Sequence, residues 1–251
     1  VFGTLSEREQ AIVDLLADET SLSVTEMSKR LSVSAVTIRG DLASLAEKGV
    51  IVREHGSASA AFSRSILERQ RTRVQEKKRI AKAAASLVGD GDTVMIEAGT
   101  TTALITRYFL GKRDLHVVTN SMLVISFARF NPAIRVTVVG GEFRASTESV
   151  VGPLAAKGLD EFHVGTAFIG TDGFSMEHGL TTHLVEGAEI VRKMREQSDR
   201  TVLVADSSKY GKAGFTRILP INAIDHLVTD VELPPDAARA IRDLGPTVDL
   251  V

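Results

Sequence analysis

The strongest constraint on this chain is an alternation that begins near residue 80. Short runs rich in Val, Ile and Leu, at 93–96, 115–119, 134–139, 166–170, 201–205, 226–229 and 247–251, read as strands. Stretches of helical period stand among them: 80–88, from about 100 to 110, "LVISFARF", and a long one over about 184–198. Apolar runs of four to eight residues bounded by turn signals fit fully buried strands. Their alternation with helices implies a parallel sheet covered on both faces. In such sheets ligands bind beyond the carboxyl ends of the strands.

The residues just past each strand are therefore informative. The first strand leads into Glu97-Ala98-Gly99-Thr100-Thr101-Thr102 and the second into Asn120-Ser121. After the third come Gly140-Gly141 and then Arg144, and the run at 166–170 leads into Thr171-Asp172-Gly173. The run at 201–205 leads into Asp206-Ser207-Ser208-Lys209. Any one of these is ordinary turn chemistry, but five converge on one sheet edge. Gly99 lets the chain turn sharply and approach a ligand closely. Thr100, Thr101 and Thr102 then open a helix whose first amides lack partners and whose dipole is positive there, which suits a phosphate. Lys209 and Arg144 can complete the positive charge. Glu97 suits sugar hydroxyls instead, or simply caps the helix. Together with Asn120, Gly140, Gly141 and Asp172 these residues describe a site for a polar, phosphorylated small molecule.

Residues 1–60 have another texture. "SERE" at 6–9 and "SVTE" at 23–26 are capping boxes, in which Ser accepts an orphan amide and Glu reaches back. Ser34 can cap a third helix, with Ile38, Leu42 and Leu45 inward and Gly49 ending it. "VIVREHGSA" comes next as a strand and a turn at His55-Gly56. Three short helices and a hairpin make a winged helix-turn-helix. Ser34, Ala35 and Thr37 lie in the first turn of the third helix, with Arg39 beyond, where recognition helices meet base edges. Small hydroxyl residues and Arg suit such contacts, and Arg53 and His55 join them from the wing. Bulk charge gives no support, because residues 1–60 hold six Lys or Arg and nine Asp or Glu.

Between the two textures, residues 64–82 carry eight Lys or Arg and only two acids. Residues 61–79 read as a basic linker running into a helix, and 80–251 as the second domain. The chain has no Cys and no Trp, which excludes thiolate metal sites, disulfides and thiol catalysis. Six scattered His give no metal spacing, and no cofactor is expected. The absence of Cys, of an apolar run of about 18 residues and of a signal segment makes a cytoplasmic protein without membrane contact the expectation.

The motifs resemble those of the DeoR family of bacterial transcription regulators. The family pattern Ser-x-x-Thr-Ile-Arg-x-Asp-Leu is met by Ser34, Thr37, Ile38, Arg39, Asp41 and Leu42. The motifs Asp-x-Gly-Thr-Thr, Val-x-Thr-Asn, Gly-Gly-x-x-Arg and Asp-x-Ser-Lys correspond to residues 97–101, 117–120, 140–144 and 206–209. Glu97 stands where the family has Asp, Gly40 where it has Arg, and Ser57 where its wing has Gly. Thr182, His183 and Glu186 resemble regulators of amino-sugar and related hexose catabolism. The resemblance implies a C-terminal Rossmann-like parallel α/β sensor similar in fold to ribose-5-phosphate isomerase, glucosamine-6-phosphate deaminase and coenzyme A transferases. It implies operator DNA and a phosphorylated sugar as partners, a homodimer or homotetramer held by the second domain, and repression of a sugar catabolic operon. The competing reading is a sugar-phosphate isomerase or deaminase, with Glu97, Asp172 or Asp206 as base, carrying an appended DNA-binding domain.

Overall fold

The computed structural model describes residues 5–18, 22–47 and 66–251. The chain divides into two compact units, 1–61 and 62–251. The wing, with Arg53 and His55, lies outside the described residues.

In the first unit three helices, α1 (Glu7–Asp18), α2 (Val24–Arg30) and α3 (Ala35–Glu47), enclose Ile12, Met27, Ile38 and Leu45. Both capping boxes are present. The Ser6 amide donates to Glu9 Oε2 at 2.7 Å while Ser6 Oγ accepts the Glu9 amide at 3.2 Å. Ser23 and Glu26 repeat the exchange at α2. Buried Glu9 also accepts Ser44 Oγ at 2.7 Å, which fastens the start of α1 to α3. Arg8 grips Asp41 with two bonds of 2.6 and 2.9 Å. Ser32 takes a left-handed conformation, φ 54°, in the tight turn between α2 and α3.

The second unit begins with α4 (Ile66–Arg71) and α5 (Val74–Ser86). The strands expected from the sequence then appear as β1 (Thr93–Ile96), β2 (Leu115–Thr119), β3 (Ile134–Val138), β6 (Val164–Ile169), β9 (Ser198–Val204), β11 (His226–Thr229) and β12 (Thr247–Leu250). They form one parallel sheet in the order β12-β11-β9-β6-β1-β2-β3. The order turns between β1 and β6, because β1 to β3 run one way along the sheet and β6 to β12 the other. Side chains alternate faces along a strand. Val94 and Ile96 accordingly pack with residues of α5, α6 (Thr100–Arg107) and α7 (Met122–Ala128). Met95 and Val118 pack on the other face with α8 (Pro153–Leu159), α9 (Val185–Glu196) and α10 (Pro235–Asp243).

The structure departs from the sequence reading in several places. The stretch expected to be a linker contains α4 and the first turns of α5, and Ile66 and Lys77 in it are buried. A hairpin of β4 (Glu142–Arg144) and β5 (Ser149–Val151) and a small sheet of β7 (Gly173–Ser175), β8 (Gly179–Thr182) and β10 (Thr216–Arg217) were not foreseen. Strands of two to four residues are too short to show a period, and tertiary packing makes them. The same holds for α8 and α10, which escaped notice in Ala-rich sequence that Pro opens at the first helical turn.

Gly40 lies exposed in mid-α3, and a Cβ placed there meets nothing within 4 Å. Gly40→Ala should therefore stabilise the full chain's first unit by about 1 kcal/mol through helix propensity alone. Urea unfolding followed by helical circular dichroism checks this, and an unchanged or lowered midpoint would show a constraint on residue 40 that the packing does not contain.

Candidate functional site

Glu97 leaves β1 at the point where the strand order turns. Its Oε2 accepts the amide of Gly170, the residue after β6, at 3.1 Å. The two strand ends that flank the crevice of a doubly wound sheet are thus joined by a carboxylate. Burial pushes the Glu97 carboxyl up to about 7, against the pull of the Gly170 amide. Asn120, after β2, holds the neighbouring turn: its Oδ1 accepts the Ala98 amide at 2.9 Å and its Nδ2 donates to the Val150 carbonyl at 3.1 Å.

Gly99 precedes α6 with φ −166° and ψ 162°. This is extended backbone open to any residue, so the sharp turn expected from the sequence is absent. Glycine is required for space instead, since a Cβ would come within 2.8 Å of Thr102 Oγ1. That hydroxyl donates to the Gly99 carbonyl at 3.0 Å. Thr102 therefore closes the turn, and Thr100 and Thr101 occupy the first positions of α6. Beside Thr100 a cavity of about 190 Å³ separates α4 and α5 from α6 and α7, with Gln70, Lys77 and Arg107 in its walls.

Asp172 follows β6. Its Oδ2 accepts Thr182 Oγ1 at 2.8 Å and the His183 amide at 3.1 Å, and its Oδ1 lies 3.6 Å from Arg69 Nη1. Burial works to raise this carboxyl, but Arg69 and Lys209 outweigh it and hold the group below the ordinary value. Lys209 comes from the turn after β9 and directs its ammonium inward to the Thr171 carbonyl. Burial, and then the nearby Arg69, lower its pKa. Asp206, two residues beyond β9, is buried.

Glu97, Asp172 and Lys209 therefore interact in one cluster with Arg69, while Thr100 lines the cavity between α5 and α6 together with Lys77. The other expected residues sit differently. Arg144, on β4, donates to Glu186 Oε1 at the start of α9 at 2.8 Å. Gly140 is exposed with open space around it. Gly141 is a packing requirement, because a Cβ there would lie 2.7 Å from the Val151 carbonyl oxygen and 3.1 Å from Ala155 Cβ.

The cations that complete the cluster were missed. Arg69 closes on Asp172. Arg73, in the left-handed conformation before α5, contacts Glu232 at 2.6 Å and Asp230 at 3.3 Å beyond the end of β11. Lys77 donates from α5 to the carbonyl of Arg69. Burial, followed by the proximity of Lys209, brings the Lys77 ammonium down to about 8. One signal for Lys77 was available, since residues 77, 80, 81 and 84 fall on a single helical face and the last three are apolar.

In the first unit Ser34 Oγ accepts the Thr37 amide at 3.1 Å and lies 2.8 Å from Thr37 Oγ1. Ser34 and Arg39 are exposed, Ala35 and Thr37 half-buried. Val36, not foreseen as a contact, is 74 % exposed between them. A methyl-bearing residue at that place suits the thymine methyl in a major groove. Among the described residues no group of His, Cys, Asp and Glu could hold a metal, and no helix is long and apolar enough to cross a membrane.

A capped three-helix unit with an exposed reading face, followed by a doubly wound sheet with a charged crevice, is the build of a two-domain, DNA-binding transcription regulator. The DeoR-like helix-turn-helix domain matches residues 8–64, and the DeoR C terminal sensor domain matches residues 72–231. The chain is 33 % identical over 248 residues to the HTH-type transcriptional regulator GlpR of Haloferax volcanii, covering 97 % of this chain and 96 % of that one. It is 28 % identical over 241 residues to the glycerol-3-phosphate regulon repressor of Escherichia coli, covering 95 % and 96 %. The chain belongs to the DeoR family. Among solved structures, ribose 5-phosphate isomerase A of Methanocaldococcus jannaschii is similar over 53 % of each chain, at 21 % identity and a TM-score of 0.40, too slight a likeness to bear on chemistry.

The raised Glu97 pKa carries a pH signature. A carboxyl whose folded pKa lies above its ordinary 4.5 costs nothing below that pH, where both states are protonated, and costs progressively more until about pH 7. Glu97→Gln keeps an oxygen for the Gly170 amide and removes this cost. Its unfolding free energy should match that of the wild type near pH 4 and exceed it by up to about 3 kcal/mol at pH 8. Urea titrations at pH 4, 6 and 8 check this, and a pH-independent difference would show that Glu97 ionises freely in the folded state.

Proposed function

We propose that the chain is a repressor of a sugar catabolic operon whose hold on operator DNA is set by a phosphorylated sugar bound at the crevice between β1 and β6. The observation that carries this reading is the joining of Glu97, Asp172 and Lys209 at the turning point of the sheet, beside the start of α6. The α6 amides and Lys209 offer a phosphoryl group positive charge and donors, while Glu97 and Asp172 offer acceptors to sugar hydroxyls. The 28 % identical relative named for a glycerol-3-phosphate regulon supports a phosphorylated effector. Ser34, Val36, Thr37 and Arg39 form the reading edge of α3, and paired half-sites require at least a dimer. Effector control arises if the ligand has different affinities for the DNA-competent and DNA-incompetent states.

A thermal-shift screen against sugar phosphates and their unphosphorylated parents tests the effector, since binding to the native state raises the melting temperature by mass action. A response confined to phosphorylated sugars is expected, and it should fall in Lys209→Ala more than operator affinity does. An equal loss of both would make Lys209 structural. Gel shifts on DNA upstream of the gene test the other half: Thr37→Ala combined with Arg39→Ala should weaken operator binding at least about tenfold. Unchanged affinity would remove α3 as the reading helix. The near-neutral Glu97 carboxyl favours one second reading, a base for sugar-phosphate isomerisation. Turnover of pentose or hexose phosphates by the purified chain would establish that activity instead.

A further inference from the structure

The cation nearest Asp172 comes from α4, the first described element after the DNA-binding unit in chain order. Arg69 Nη1 stands 3.6 Å from Asp172 Oδ1, beyond hydrogen-bond length, and its side chain is only partly exposed. The hydrogen bonds that Asp172 accepts, from Thr182 Oγ1 and the His183 amide, both fall on its other oxygen, Oδ2. The pair is thus an electrostatic contact without a directional bond, and Arg69 can exchange partners without breaking a hydrogen bond of Asp172. The C-terminal end of α4 is drawn into the same cluster, because the Arg69 carbonyl accepts the buried Lys77 ammonium.

Two observations direct Arg69 toward an incoming anion. First, Arg69, Lys77 and Lys209 gather in one cluster: burial lowers the pKa of Lys77 and Lys209, and the neighbouring cations lower it further. An added negative charge relieves that crowding. Second, the cavity beside Thr100 holds about 190 Å³, meets this group of cations through Lys77 alone and has α4 as one wall through Gln70. Small-molecule pockets start near roughly 300 Å³. With α4 in place there is space for a phosphoryl group but not for a whole sugar phosphate, so accommodation of the sugar displaces this wall.

Resting on the phosphorylated-effector reading above, we propose that Arg69 is itself an effector contact: it leaves Asp172 for the phosphoryl group seated between the start of α6 and Lys209. The exchange moves α4, and effector occupancy is thereby registered in the segment of the second unit nearest in sequence to the DNA-binding unit. Asp172, released from Arg69, turns its free acceptor capacity to the sugar.

Calorimetric titration of the full chain with inorganic phosphate tests this, because phosphate has no sugar hydroxyls and Asp172 then acts only as a competitor for Arg69. Wild type is compared with Arg69→Ala, Asp172→Asn and the double variant. Arg69→Gln, which keeps a polar stem, runs alongside in case alanine unfolds α4. Loss of one charge-assisted contact should weaken phosphate binding about tenfold or more. Asp172→Asn should tighten it in the presence of Arg69, and the gain should vanish when Arg69 is absent, giving a non-additive cycle. Unchanged phosphate affinity in the Arg69 variants, or the same gain from Asp172→Asn with and without Arg69, overturns the proposal and leaves the effector reading standing. Failure of the wild-type chain to bind inorganic phosphate or any of the sugar phosphates overturns both.

Discussion

The Glu97 carboxylate that accepts the Gly170 amide is the contact on which the second unit's chemistry depends. A parallel sheet whose order turns between two strands opens a crevice there. The ends of β1 and β6 must nevertheless keep their spacing if residues on both are to serve one site. A carboxylate across the gap fixes that spacing while remaining ionisable, at the expense of burying a charge that is favourable only when cations stand close by. Arg69 and Lys209 supply them, from two separate elements. The cluster is therefore a condition of the crevice as well as a candidate binding surface.

The long elements were legible in the sequence because each has a period. The strands at 93–96, 115–119 and 226–229 lie where apolar runs stop at turn residues, and both capping boxes sit where Ser and Glu stand three apart. The strand ends also pointed to Glu97, Asp172 and Lys209 as neighbours. What sequence reasoning could not show is which hydroxyls and amides are already engaged. Thr102 and Gly99 close a turn on each other, Asn120 braces the next one, and Arg144 holds Glu186. Such engagements are tertiary facts, invisible to spacing.

The basic stretch was misjudged for a different reason. A run of cations with few acids nearby in sequence reads as solvated chain. Here the acids that answer it, Asp172, Asp206, Asp230 and Glu232, lie about a hundred residues or more away and are brought to the arm by the folded sheet. Asp206 and Asp230 are buried, and without the arm their charge would lose its nearest cation, Arg73, which is far costlier than an exposed ion pair lost. The arm is for this reason part of the second unit's fold, and its start lies near the beginning of the sensor match at residue 72.

Arg73, with φ 51° and ψ 42°, stands between α4 and α5 and interrupts what could have been a single helix. An unbroken helix would behave as a stiff lever, so that tilting its first turn would drag Ile80, Ala81 and Ala84 out of their packing against the sheet. The left-handed residue breaks the lever, and its guanidinium is bolted to Asp230 and Glu232 as a fixed pivot. Under the proposed exchange, the six-residue stub before it has a joint of its own, separate from the thirteen-residue rod after it. The joint thereby uncouples a displacement at Arg69 from the packing of Ile80, Ala81 and Ala84 in the core.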